Sequence, residues 1–406
     1  MDAITPGTRR RRDLLRVRIE RDVMPEQPVQ TILFQPPNRV GLGHLSRLIA
    51  IALAVKEARP DVRVPFVVGG NDHGLLEAHG LPFFCLPDRH ALLSPGWESW
   101  STKDRHTLVL DLACTMIKLL QPDVIVFDCF PHGAMAHAVF RQEIPTAICL
   151  RAMKDMSNHY EEIRRFGSRV KAILIPHAEG ECDVPEDLMS RTCFTGPITR
   201  PLPARPAQDP AQGDSRLVVI SGGGGGYPQT VAFYNLALEA LRRARGMVPD
   251  IEGLLVTGPL FNDWWQLRLV DGVRVMPFDP HLSTTLARAD LVVCQAGYNT
   301  IAELRALGVP TLCVPAIRES DDQFKRASEA ESGSLRTYTG SDPETLARSM
   351  AEILSAGILP PASPHVAPLA APAASAPCGA TIAADTLLRL LEQPSRATPS
   401  RTEALP

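Results

Sequence analysis

SRLVVISGGGGGYPQ, residues 215–229, is the stretch that decides the fold. An apolar run of strand length passes into five consecutive glycines and then into text with helical spacing over 230–245. Strand, glycine loop and helix in that order open a parallel α/β unit. The same order stands earlier in the chain. TILFQPP (31–37) is followed by Gly41 and Gly43 and by the helical text VGLGHLSRLIAIALAVKEA. Two such openings predict two doubly wound domains. Ligands of such sheets sit beyond the carboxyl ends of the strands, so the two domains are expected to face each other across a cleft.

Working outward, the first unit continues with the strand VRVPFVVGG (62–70), a short helix and third strand within HGLLEAHGLPFFCLP, and a helix over 104–121. DVIVFDCFP (123–131), PTAICL (145–150) and AILIPHAEG (172–180) read as further strands, with AMAHAVFRQEI as a helix between the first two. GPITRPLPARPAQDPAQGD (196–214) breaks both periods and reads as a linker. The second unit adds the strands IEGLLVTGP (251–259), VRVMPF (273–278), DLVVCQAG (290–297) and PTLCVP (310–315), the last clear one, with helices at HLSTTLARA and TIAELRALG. The expected organisation is a disordered basic segment 1–28, an acceptor-binding Rossmann-like domain 29–198 and a linker 199–214. A donor-binding domain 215–393 follows, with a Pro/Ala-rich connector 356–378 and a closing amphipathic helix 379–393, then a disordered tail 394–406.

Composition narrows the function. The 406 residues are enough for two cores, and 45% hydrophobic with 21% charged is ordinary for a globular protein. A formal net charge of -3 argues against nucleic acid as partner, because phosphate backbones need a basic surplus. Nine cysteines contain no C-x-x-C pair and several lie in apolar runs, which fits reduced thiols and a cytoplasmic setting better than disulfides or zinc. Arg9 to Arg12 are not followed by an apolar segment, so no export signal is expected, and no 18-residue apolar run exists to span a membrane.

Three places carry candidate chemistry. Gly41 and Gly43 allow a tight turn at a helix mouth, where unpaired N–H groups suit an anion. His44 at that mouth suits general-base work, or simply local hydrogen bonding, and Arg47 follows one turn later. Asp128 ends a buried strand, where it either orients His44 as a triad carboxylate does or caps the next helix. His132 and His137 read as ordinary helix or loop residues. Gly222, Gly223, Gly224, Gly225 and Gly226 form the second place. Each costs roughly 1 kcal/mol in ordering against alanine, which suits a loop whose amides approach phosphate. The loop is neither a P-loop nor G-x-G-x-x-G with an acidic residue about 20 positions on. The alternative is a mobile low-complexity loop. The third place is QAGYNTIAELRALGVPTLCVPAIRESDDQ (295–323). Gly297 ends a strand, Tyr298, Asn299 and Thr300 lie at a helix mouth, and Glu303 falls on the first turn, where it can take ribose hydroxyls. Asp322 and Gln323 can bond sugar hydroxyls, or Asp321 and Asp322 can cap the next helix.

PFDPHLSTTLARADLVVCQAGYNTIAELRALGVPTLCVPAIRESDDQ resembles the carboxy-terminal signature of the glycosyltransferase family 28 group, which includes the N-acetylglucosaminyltransferase forming lipid II. The resemblance implies a GT-B architecture over roughly 31–330. It places Phe278 at the base, Gly297 to Thr300 at the diphosphate, Glu303 at the ribose, and Asp322 with Gln323 at the sugar. On the same resemblance the five-glycine loop, grouped with Gly258, is a phosphate loop, and Arg200 in TGPITRP lies near phosphate. The amino-terminal loop resembles two groups: sugar transferases to small molecules, through His44 and Asp128, and the nucleotide-sugar hydrolase of pseudaminic acid synthesis, through Gly41, Gly43, His44 and Arg47.

The expected function is transfer of a sugar from a nucleotide-diphosphate sugar, of the UDP kind, to a small-molecule, glycan or lipid-linked acceptor, with His44 as base and Asp128 behind it. No cofactor and no metal are expected, since no D-x-D triplet stands at a suitable strand end. Nucleic acid is not a partner, and peripheral membrane contact is compatible with the sequence. Phe83, Phe84, Trp97, Trp100, Trp264 and Trp265 read as core or as acceptor- or bilayer-facing groups. The rival readings are a nucleotide-sugar hydrolase or 2-epimerase of the same fold, and a non-catalytic nucleotide-sugar-binding subunit.

Overall fold

A computed structural model describes residues 29–37, 41–69, 73–87, 92, 95–129, 131, 133–206, 215–356 and 378–392. The expectations for residues 1–28, 207–214, 357–377 and 394–406, and for His132, lie outside them.

The chain forms two lobes, each built on a wholly parallel sheet. In the first, β1 (Ile32–Gln35), β2 (Phe66–Val68), β3 (Phe83–Cys85), β4 (Val124–Asp128), β5 (Thr146–Cys149), β6 (Val170–Ile175) and β7 (Thr192–Phe194) lie in the order β3-β2-β1-β4-β5-β6-β7. In the second, β8 (Arg216–Ser221), β9 (Ile251–Val256), β10 (Val273–Met276), β11 (Leu291–Cys294), β12 (Thr311–Cys313) and β13 (Leu335–Thr337) lie in the order β10-β9-β8-β11-β12-β13. This is the two-domain, Rossmann-like GT-B arrangement that the sequence implied.

The strands are apolar on both faces because helices cover both. Ile32 and Phe34 enter one core layer of the first lobe and Leu33 the other; Val124 and Val126 alternate with Ile125 and Phe127 in the same way. Helix α1 (Gly43–Ala58) buries Leu48, Ile49, Ile51 and Val55 on the first layer. Helices α2 (Gly74–Ala78), α3 (Thr102–Leu120), α4 (Gly133–Gln142), α5 (Ser157–Phe166) and α6 (Glu186–Met189) complete that lobe, α3 and α4 filling the second layer through Val109, Ala113, Ile117, Met135 and Val139. The second lobe carries α7 (Thr230–Ala244), α8 (Leu282–Ala287), α9 (Tyr298–Leu307), α10 (Gln323–Glu329) and α11 (Pro343–Ala356).

Three expectations change. Strand β7, helix α5 and the pair β13–α11 were not anticipated. Strands of three residues give too weak a period to read, whereas α5 and α11 do carry a helical period, Tyr160, Ile163 and Phe166 in one and Leu346, Met350 and Leu354 in the other. Glu303 stands in the second turn of α9, not the first, because that helix begins at Tyr298 rather than Thr300. Helix α12 (Gly379–Glu392), assigned by chain order to the second domain, packs on the first. Ala380, Ala383, Ala384, Leu387 and Leu391 join the core made by α1 and β1. An amphipathic face buries wherever an uncovered apolar layer is within reach, and sequence adjacency does not choose the layer.

Strand order explains where the site lies. β1 and β4 are neighbours, but α1 and α4 leave them on opposite faces of the sheet, and β8 and β11 repeat this in the second lobe. A crevice opens beyond the strand ends at each such switch. None of the described helices is long and apolar enough to cross a membrane.

Candidate active site between the two lobes

Asp128 is the last residue of β4 and His44 stands in the first turn of α1, just past β1. Parallel pairing of β1 with β4 brings the two together at the switch point. His44 Nδ1 lies 2.7 Å from Asp128 Oδ1. His44 does not cap its helix, and both oxygens of Asp128 are met by Arg47, one of them by His44 as well. Arg47, expected beside an anion at the loop, is instead 2% exposed: its Nε donates to Asp128 Oδ2 at 2.8 Å and its Nη2 to Oδ1 at 2.7 Å. Position 47 follows His44 by three residues, so both side chains leave α1 on the same face and converge on one carboxylate.

The electrostatics set the tautomer. Burial pushes the Asp128 carboxyl up, but Arg47 and His44 outweigh it and hold the group below the usual carboxylate range. An ionised Asp128 accepts, so His44 Nδ1 carries the proton and Nε2 keeps a lone pair. Burial, opposed by Asp128, draws the imidazole below its ordinary value and keeps it neutral. The ring remains partly open, with 18% of its side chain exposed. A neutral, oriented imidazole of this kind can accept a proton.

The five-glycine loop reaches this wall. Gly224 lies so close to the first lobe that a Cβ there would stand 3.0 Å from Leu42 N and 3.1 Å from Gly41 Cα. Gly225 has φ +83°, and a Cβ on it would stand 2.3 Å from Thr257 O; only glycine combines that backbone with that approach. Beneath the loop Tyr234 is fully buried, accepting from Gly222 N–H at 3.2 Å and donating to Thr257 O at 2.7 Å. Gly258 lies under the carbonyl of Gly223 and supports the same loop.

Helix α9 supplies the other bridges. Asn299 Nδ2 donates to Gly43 O at 2.9 Å, and the Tyr298 hydroxyl donates to Pro176 O beside the His177 ring. His177 Nε2 accepts from Ala152 N–H at 3.1 Å. Burial, with Arg326 and Arg151 nearby, lowers its pKa to about 4. Gly297 is the residue before the first turn of α9, and Thr300 lies within that turn.

Other expected residues are placed as follows. Glu303 is 5% exposed, with Arg200 Nη2 3.8 Å away, and burial pushes its carboxyl up against the pull of that guanidinium. Arg200 also donates to Pro280 O at 2.9 Å, so it stands beside the proposed ribose carboxylate. Phe278 lies on the first lobe, with Cε1 2.9 Å from where a Gly74 Cβ would be. Asp322 accepts from Lys325 N–H and caps α10, while buried Gln323 accepts from Ala316 N–H at 3.0 Å. Trp97 packs partly into the core, whereas Phe84, Trp100, Trp264 and Trp265 are exposed.

The sequence reading passed over Arg151 and Arg318 and took Asp321 for a helix cap. Arg151 of the first lobe meets Asp321 of the second at 2.8 Å, and Arg326 pairs with the same carboxylate. The signal available was a run of charge after a strand end, which by itself is indistinguishable from a solvated loop. Among the described residues, His44, Asp128 and Cys129 form the one cluster with metal-ligand atoms in mutual reach. It fits a cation poorly: Arg47 already neutralises the carboxylate, and burial pushes the Cys129 thiol up to about 12.

Residues 252–360 match the glycosyltransferase family 28 C-terminal domain. A UDP-N-acetylglucosamine–N-acetylmuramyl-(pentapeptide) pyrophosphoryl-undecaprenol N-acetylglucosamine transferase of Sorangium cellulosum is 30% identical over 207 residues, half of this chain and half of the relative. The enzyme of the same name from Leuconostoc citreum is 24% identical over 331 residues, 74% of this chain and 83% of the relative. Among solved structures, the calicheamicin glycosyltransferase CalG4 shares the fold, with a TM-score of 0.54 at 15% identity over 90% of this chain and 99% of that one. The two parallel-sheet lobes joined across a crevice are the GT-B arrangement, and the second lobe carries the match to the glycosyltransferase family 28 C-terminal domain.

Proposed function

We propose that this glycosyltransferase moves a sugar from a uridine-diphosphate sugar to an acceptor hydroxyl, with His44 Nε2 as the base. The observation that carries the reading is the neutral imidazole held by Asp128 at 2.7 Å on the wall that the five-glycine loop approaches. The acceptor oxygen gives its proton to Nε2 and forms a bond to the anomeric carbon. The bond from that carbon to the diphosphate breaks, and its electron pair leaves with the diphosphate oxygen. Main-chain amides of Gly224 to Gly226 and the mouths of α7 and α9 are assigned to the charge that develops, the Gly222 and Gly223 amides being held by Tyr234 and Ser221. Glu303 is assigned to the ribose hydroxyls and Gln323 with Asp322 to the sugar. The buried Glu303 carboxylate has acceptor capacity left beyond its distant contact with Arg200. The relatives' names point to N-acetylglucosamine as the sugar and to a lipid-linked acceptor as the first to try.

His44→Ala tests this. It should lower kcat by about 10²- to 10⁴-fold while the donor KM changes little. Turnover unaffected by the substitution would remove His44 from the chemistry and leave the chain a donor-binding module. Donor incubated without acceptor should stay intact over many transfer turnovers. Stoichiometric sugar release, or a new epimeric nucleotide sugar, would instead establish the hydrolase or epimerase.

A further inference from the structure

Arg318 lies in the loop after β12, on the crevice between β8 and β11. It is 7% exposed. Its Nη1 donates to Gln229 Oε1 and its Nη2 to Gln295 Oε1, both at 2.8 Å, and its Nε is buried without a partner. The guanidinium stacks on the Tyr227 ring at 3.7 Å, immediately after the glycine loop. A guanidinium stays charged at every physiological pH, and a buried charge is costly unless an opposite charge meets it. The partners here are neutral amide oxygens. The acidic group nearby in sequence, Asp321, is taken by Arg151 and Arg326, and the Glu319 side chain is exposed. Lys154 of the first lobe adds a further cation by donating from Nζ to Arg318 O at 2.9 Å.

A second orphan lies on the same crevice. Thr230, the first residue of the 15-residue helix α7, is fully buried and its Oγ1 has no partner. Its Cγ2 would touch a Cβ on Gly222, which fixes it directly beneath the glycine loop. Through Gln229, the residue next to Thr230, an arginine without a carboxylate partner is thus tied to an unsatisfied hydroxyl at a helix mouth. Each is a feature that an anion with several oxygens would satisfy.

We propose that Arg318 is the counter-charge for the diphosphate of the bound nucleotide, with Thr230 Oγ1 as a hydrogen-bond donor to it. This rests on the nucleotide-sugar reading above. On binding, the guanidinium exchanges its glutamine amides for phosphate oxygens while the Tyr227 face keeps it in plane. When the sugar leaves, the diphosphate gains negative charge beside a cation already in position, so Arg318 also favours the transition state. The site therefore discriminates a nucleoside diphosphate from a monophosphate by charge.

Calorimetric titration of the full chain with UDP, UMP and inorganic pyrophosphate tests the proposal. Arg318→Gln should weaken UDP and pyrophosphate on the order of 10- to 100-fold and collapse the preference for UDP over UMP; Arg318→Lys should recover part of it. An unchanged UDP-to-UMP ratio in a glutamine variant with wild-type Tm overturns the assignment. If that variant fails to fold, Thr230→Val decides: a loss of about 3- to 10-fold in UDP affinity supports the subsite and none overturns it. Pyrophosphate binding that depends on Arg318 while UDP fails to bind keeps the anion site and rejects the nucleotide reading. Binding of neither overturns both.

Discussion

His44, Asp128 and Arg47 show how one carboxylate can serve two donors of different kinds, a neutral imidazole and a guanidinium. Arg47 keeps Asp128 ionised, and the ionised Asp128 fixes the His44 proton on Nδ1. Asp128→Asn should remove both effects. The Arg47 guanidinium would be left buried without a counter-charge, a loss of about 3–5 kcal/mol measurable by denaturant titration. Activity should fall as well, because an amide can present the wrong hydrogen-bonding group to Nδ1. A variant as stable as the wild type would show that the fork contributes nothing. The sign of the pH dependence follows from the lowered His44 value. The unfolded chain takes up its proton near pH 6.5, before the folded one does. Stability from this group is therefore complete above that pH and is lost as pH falls toward the folded value. The acid limb of kcat/KM should accordingly lie below 6.5, and a limb above it would contradict the neutral base. His44 and Asp128 were legible in the sequence because strand ends in a parallel sheet converge. The role of Arg47 was not, since only the helix face reveals which way its side chain turns.

At the scale of elements, each lobe opens with the same unit, yet the two glycine loops differ in their packing. The second approaches the first so closely that side chains at Gly224 would hold the lobes apart. The strands were readable from their apolar runs, and β7 and β13 were missed because three residues carry no period. Helix α12 was recognised but placed on the wrong lobe. Its apolar face completes the core of α1 and β1, so Leu387→Ala, at a fully buried position, should cost about 2–5 kcal/mol. Hydrogen exchange should show the loss in residues of β1 and α1, while β8 and α7 keep their protection. Uniform loss in both lobes would mean that they unfold as one unit.

Among the described residues, several polar contacts join the two lobes. Arg151 and Arg326 meet on Asp321, Lys154 reaches Arg318 O, and Asn299 reaches Gly43 O. Burial pushes the Asp321 carboxyl up, but the two guanidinium groups prevail and hold it at about 2. This contribution to the junction is therefore intact across the neutral range and weakens only as pH falls through the carboxylate range to that value. Asp321→Asn should leave two arginines facing each other across the gap. Small-angle scattering should then record a larger radius of gyration without loss of secondary structure, and an unchanged radius would show that the remaining contacts suffice.

The order of residues alone determined the two parallel α/β units, the facing glycine loops and the imidazole–carboxylate pair, because period, turn chemistry and strand-end position are local properties that any fold of these segments must respect. Tertiary structure decided the rest: that α12 returns to the first lobe, that Arg47 is buried on Asp128, and that Arg318 stands without a carboxylate. Those outcomes depend on which surfaces meet and on where a long cationic side chain ends its reach. Both are settled by packing between segments distant in sequence, 81 residues for Arg47 and Asp128 and 361 for Gln30 and Leu391 of α12.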